Sequence, residues 1–318
     1  MKLLSTPIAI NQLIDWLLAG DVSIQYQVHR DLLGSNQPEL QARIAAEGWG
    51  AAFLNARKND GNWGQSFYQP KWTSTHYTLL DLRNLNIAKD HELIRESVAQ
   101  ITNNLKAKDG GINPPGSTRQ SDVCINGMFL NYASYFGMEE KKLNSVVDFL
   151  LTQHMPDGGF NCQSNRGGAR HSSMGSTVCV LEGILEYAQN GYRYRLGELQ
   201  DAALQAQEFL LQHRLYRSDH TGEIIDRRFL MLSYPPRYRY DILRALDYFQ
   251  SAGCEYDPRM ADAITVLQSK RRKDGRWPHQ GKHPGQVHFD MEKSRRPSRW
   301  NTLRVFRIFK HFNIPLMA

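Results

Sequence analysis

The sequence predicts an all-α protein, an (α/α)6 toroid in which six helical hairpins form inner and outer rings of one domain over 1–318. Three observations predict it. An Asp-Gly turn with an aromatic or aliphatic residue close behind recurs at Asp60-Gly61-Asn62-Trp63, Asp109-Gly110-Gly111-Ile112, Asp157-Gly158-Gly159-Phe160 and Asp274-Gly275-Arg276-Trp277. The first three copies lie 49 and 48 residues apart, and the 117 residues between the last two hold a degenerate turn, Asp219 to Gly222. A fixed period of this size marks a repeat architecture. Amphipathic segments flank each turn, the following one more apolar, and strand-like alternation is scarce. Finally, the first and last pairs are both apolar, whereas an open solenoid wants polar end caps.

The elements follow in order as outer helix, turn and inner helix. The expected pairs are 8–18 with 22–33, 37–57 with 73–85, 90–105 with 122–136, 140–152 with 171–188, 198–213 with 236–252, and 258–269 with 297–311. In each turn, glycine supplies the positive φ that the chain needs.

Charged residues at 22% and aromatics at 10% are values of a folded globular chain. No run of 18 uncharged apolar residues is present, so no membrane span is expected. The apolar run Leu3 to Ile10 is broken by Asn11, Gln12 and Asp15, which argues against a secretory leader. Cys124, Cys162, Cys179 and Cys254 form no CxxC pair, and a reducing cytoplasm is the expected location. The net charge of +7 is uneven: Lys270 to Lys310 carries 13 basic and 3 acidic residues, so the remainder sums to about −3. A uniformly basic nucleic-acid binder would not look like this, and the cluster Lys270 to Lys273 reads as a solvated helix end before a nucleic-acid contact.

The segment Phe149 to Phe160, with Gln153 ahead of Gly158-Gly159-Phe160, resembles the repeat of protein prenyltransferase β subunits and squalene/oxidosqualene cyclases. The resemblance runs from about residue 50 to 311 and implies the toroid with a central cavity for an isoprenoid or similar amphiphile. The Asp-rich motifs of the cyclases are absent from the sequence. The prenyltransferase comparison implies a zinc site: Asp122-Val123-Cys124 opens the third inner helix, and Arg119 stands where the family has a diphosphate contact. Thiolate, carboxylate and imidazole would fill three zinc positions and leave the fourth open. The family's histidine register falls on Gly175, leaving His171, His76 or Cys162 to complete the set. Asp122 is also expected as a general acid.

The last two inner helices begin with arginines and aromatics. Arg237, Arg239, Tyr240 and Asp241 open one, and Arg299 and Trp300 open the other, with Arg304 following. Arginine presents a planar fork that suits phosphate oxygens, such as those of a prenyl diphosphate. These residues are expected as ligand anchors and Asp241 as a catalytic group, or else as the pairs that close the ring. His279, His283 and His288 lie in a Gly/Pro-rich loop and read as loop before metal site. A carbohydrate-active toroid is the alternative, with Asp122, Asp241, Asp290 and Glu292 as its candidate acids. A non-catalytic lipid binder or scaffold is the third reading.

Overall fold

The outer helices bury one stripe each, and the inner helices are buried on most sides. Helix α6 (Glu92–Asn104) buries Ile94, Val98 and Ile101 on one side, whereas α7 (Val123–Tyr135) buries every residue except Cys124. A stripe needs one partner layer and a helix buried on most sides needs several, which sorts the two sets into outer and inner rings. In the computed structural model, which describes residues 7–115, 117, 120–163 and 167–316, this sorting gives an (α/α)6 toroid.

The hairpins pair outer α1 (Pro7–Leu18) with inner α2 (Val22–Gln27), which continues as a π-helical turn, Val28–Leu33. Outer α3 (Pro38–Arg43) and α4 (Gly48–Asn55) pair with inner α5 (Thr75–Asn84), and α6 pairs with α7. Then come α8 (Glu140–Thr152) with α9 (Met174–Gln189), α10 (Leu196–Gln212) with α11 (Ile242–Ser251), and α12 (Ala261–Ser269) with α13 (Arg299–His311). No helix among the described residues is long and apolar enough to cross a membrane.

Two expected helices differ. The segment 37–57 is split, because Gly48 takes a φ of 57° and a Cβ there would lie 2.0 Å from the Asp21 carboxylate. That carboxylate instead accepts the Trp49 N–H at 2.9 Å. The fifth inner helix begins only at Ile242. Pro235 and Pro236 have no N–H to give and Arg237 sits at φ 57°, so the preceding residues form a loop.

Each Asp-Gly turn is fastened to the first turn of its inner helix. The N–H of Trp63, Phe160 and Trp277 donates to the hydroxyl of Thr75, Thr177 and Thr302, each at 3.0 Å. Ile112 donates to the Asn126 side chain in the same way. The indole N–H groups of Trp63 and Trp277 each reach the carbonyl ten residues earlier, Phe53 and Leu267. Helices α7 and α9 meet most closely, where a Cβ on Gly183 would stand 2.3 Å from the Gly127 carbonyl oxygen. At the seam, Arg299 donates to the Trp16 carbonyl at 2.9 Å and lies over its ring, Arg276 covers the same ring, and Lys310 donates to the carbonyls of Asp31 and Leu32. Last repeat and first repeat are thereby joined.

Candidate functional site

The inner helices enclose a cavity of about 530 Å³. It opens among Asn86, Lys89, Gln189, Gln250 and Ser251, at the C-terminal ends of the inner ring, and its floor is made by Tyr234, Pro236, Arg237 and Trp300 at the N-terminal ends. The expectation of an apolar cavity is not met. Seven cationic and four anionic side chains line it, together with Gln27, Asn84 and Asn131.

Most of these charges are locked to one another across neighbouring helices. Arg244 of α11 grips Glu182 of α9 with two bonds, 2.8 and 2.6 Å. Asp247 of α11 accepts from Arg304 at 2.9 Å and from Arg307 at 2.6 Å, both on α13. Arg307 reaches on to Asp31 at 3.1 Å, which Arg30 also holds, and Arg83 of α5 pairs with Glu186 of α9. The neighbouring guanidinium groups, against the opposing effect of burial, keep Asp31 and Asp247 below the usual carboxylate range. Paired, hydrogen-bonded carboxylates of this kind stay ionised and hold no proton near neutrality.

Asp81, which is buried behind the cavity wall and does not line it, has no such lock. It lies on α5 with its side chain 1% exposed, and its nearest cation, Arg237 Nη2, is 4.0 Å away. Neither carboxylate oxygen has a hydrogen-bond partner. Burial pushes its pKa up to about 7, with Arg237 pulling the other way. Arg237 itself stacks over Trp72 at 4.7 Å and is held below the usual arginine range by burial.

The opposite, N-terminal end of the barrel is filled. His76, Tyr77, Phe129 and Tyr132 are buried, Phe67 and Trp72 nearly so, and ring contacts of 4.9–5.6 Å link His76 to Phe67, Tyr77 and Tyr132. The histidine loop covers this cluster: Trp72 donates to the Pro284 carbonyl, and His288 meets the Thr78 hydroxyl at 3.0 Å. Only a cleft of about 30 Å³ remains there, on the far side of Tyr234 and Arg237 from the main cavity.

Of the residues expected at a site, Arg237, Trp300 and Arg304 line the cavity. The others are elsewhere. Asp241 caps α11, accepting the Arg244 N–H at 2.8 Å, because an extended residue before a helix can satisfy a free N–H. Tyr240 turns outward and donates to the Leu215 carbonyl at 2.6 Å. Arg299 belongs to the ring seam, and Arg239 stacks on Tyr238. Asp290 pairs with Lys282 at the surface, and Glu292 caps α13 through Ser298 and the Arg299 N–H. Arg119 lies outside the described residues.

The metal candidates come together in part: Cys124 and Cys162 meet, and both feel the Asp122 charge. Asp122 stands at the cap position of α7, and the Cys124 N–H donates to the Cys162 sulfur at 3.2 Å. His76 is buried on the Tyr132 hydroxyl at 3.1 Å, its pKa pushed down to about 3 by burial, while His171 is exposed. Among the described residues no group of three or more such side chains is placed to hold a metal ion.

Sequence reasoning missed Asp81, Glu182 and Asp247. A signal existed: each is an acidic residue in the middle of a mostly buried inner helix, where a carboxylate needs a partner.

Solved structures match along nearly the whole chain. A polysaccharide lyase is 12% identical, with 96% of this chain and 97% of that one covered and a TM-score of 0.54. Glycosyl hydrolase family 88 from Bacteroides vulgatus is 11% identical, with 93% and 91% covered and a TM-score of 0.50. The type II terpene cyclase MstE from Scytonema is 13% identical over 96% of each chain, with a TM-score of 0.46. At such identities the likeness is one of fold. The chain is an α/α toroid. No protein-family model and no curated protein sequence matches it.

Proposed function

We propose that the protein is a carbohydrate-active enzyme of the toroid class, with its substrate in the central cavity. The observation that carries this reading is the cavity wall. Its charges and amides suit a ligand covered in hydroxyl groups, and they would impose a desolvation cost on a hydrocarbon tail. The toroid shared with a polysaccharide lyase and a glycosyl hydrolase supports the reading at the level of fold. The isoprenoid reading needs open apolar volume, and the aromatic end of the barrel is occupied by its own side chains.

Asp81 is the proton-transfer group in this proposal. Every cavity carboxylate named above is committed to arginine, whereas Asp81, buried behind the floor and 4.0 Å from Arg237, has no hydrogen-bond partner and titrates near neutral pH, with Arg237 as its link to the cavity. The experiment is a panel of neutral and acidic polysaccharides, followed by new reducing ends or unsaturated sugars, with geranyl diphosphate as the comparison ligand. Turnover of a polysaccharide that drops at least ~100-fold in Asp81→Asn, with binding kept, is the expected result. Binding of geranyl diphosphate but of no sugar would overturn the proposal. Sugar binding without turnover would leave a carbohydrate-binding protein rather than an enzyme.

A further inference from the structure

The cavity floor carries hydrogen-bond donors that have no acceptor. Arg237 Nε, Arg304 Nη1 and Trp300 Nε1 are all buried without a partner, and all three residues line the cavity. Arg237 is 5% exposed, Arg304 3% and Trp300 1%. Leaving one such donor buried and unmatched costs on the order of 1–3 kcal/mol. Three around one floor call for an acceptor.

The three are grouped around Tyr234. Its ring stacks on Trp300 with centroids 4.4 Å apart, its phenol feels the charges of Arg304 and Asp81, and Arg237 follows three residues later in the same loop. Trp300 also packs on Trp49 at 6.0 Å, so stacking occupies its ring while its N–H edge has no partner. The nearby acids are already committed. Arg30, Arg304 and Arg307 share two ionised carboxylates, Asp31 and Asp247. Asp241 and Glu292 cap helices, and Asp81 is buried without a hydrogen bond. None of them accepts from the three donors of the floor.

We propose that the floor is a receptor for one oxyanion, bound by the N–H groups of Arg237, Arg304 and Trp300, and that this oxyanion is the carboxylate of an acidic sugar. The assignment to a sugar rests on the carbohydrate reading above; the receptor itself does not. Guanidinium and indole donors together match a planar carboxylate, and a charge-assisted bond in a buried site is about twice as strong as a neutral one. A neutral sugar has hydroxyl oxygens to offer but no charge to satisfy the floor.

Isothermal titration of the full chain with glucuronate, glucose, sulfate and geranyl diphosphate tests the proposal. Glucuronate is expected to bind more tightly than glucose. Its affinity should fall roughly tenfold or more in Arg237→Gln and several-fold in Trp300→Phe, which removes the N–H and keeps the aromatic packing. Arg299→Gln, at the ring seam, is expected to leave binding unchanged. Sulfate or geranyl diphosphate binding that depends on Arg237 and Trp300, with glucuronate silent, would keep the receptor and remove the acidic sugar along with the carbohydrate reading. Glucose binding as tightly as glucuronate, with Trp300→Phe indifferent, would overturn the receptor and leave the carbohydrate reading standing. Failure of all three anions to bind at millimolar concentration would also overturn it.

Discussion

The two ends of this barrel are held by different means. At the N-terminal end of the inner helices, four of the six repeats fasten their turns with the same modest bond, an aromatic or aliphatic residue's N–H to a side chain on the helix. Aromatic rings fill the interior behind those bonds. Toward the C-terminal end the helices part around a cavity, and the contacts across it are a few buried ion pairs. The first end distributes its stability over many small and equivalent contacts. The second concentrates it in carboxylates that each serve one or two arginines. A barrel that must leave room for a ligand cannot fill that end with apolar side chains, so charge pairing takes over the work of holding the helices in register.

The comparison breaks most sharply at Asp247. Replacing it with Ala removes the acceptor of Arg304 and an acceptor of Arg307, leaving guanidinium groups with too little countercharge in a largely buried wall. Removing one partner of a buried pair typically costs ~3–5 kcal/mol, more than the pair itself contributes. Urea denaturation of Asp247→Ala against wild type should show a loss of that order. A loss under about 1 kcal/mol would mean that water already screens the pair as it does at a surface, and the contrast between the two ends would collapse.

Asp81 gives the next largest effect, with the opposite sign. Burial raises its folded pKa to about 7 from an ordinary 3.8. The folded chain therefore binds this proton more tightly than the unfolded chain, and stability from this site declines as pH rises between those two values. Asp81→Asn cannot ionise, so it should match wild type near pH 4 and be more stable at pH 8 by on the order of 4 kcal/mol. Thermal melts across that range provide the check. A difference that does not change with pH would place Asp81 in a better-solvated setting and remove its role in proton transfer.

The fold was legible in the sequence because a turn repeated at a near-constant period needs no knowledge of contacts. Asp60, Asp109, Asp157 and Asp274 announce it directly, and the six expected helix pairs match the observed ones apart from the break at Gly48 and the late start at Ile242. The site was less legible. Arg237, Trp300 and Arg304 were found by local density of arginine and aromatics, but the same criterion also selected Arg299, Arg239 and Tyr240, which face other ways. Which side of a loop a residue faces depends on the φ of 57° at Arg237 and on where the helix starts, and neither is written in residue type alone. Asp81 and Glu182 went unseen because they belong to no motif. Their meaning lies in the burial of the helices that carry them.

The smallest effect tests the other side of the comparison, the repeated bond at the filled end. Thr302→Val keeps the shape of the side chain and removes the acceptor for the buried Trp277 N–H. Thr177→Val does the same for Phe160 two repeats earlier. Each should cost about 1–2 kcal/mol, the penalty of one unmatched buried donor rather than of a lost charge pair. The two sites share no partner and lie in separate hairpins, so their effects should add to within about 0.5 kcal/mol in the double variant. Additivity is what a distributed end requires. If Thr177→Val and Thr302→Val together cost much more than their sum, measured by urea denaturation, the turns would be coupled around the ring. Each repeat would then depend on its neighbours as strongly as Arg304 and Arg307 depend on Asp247.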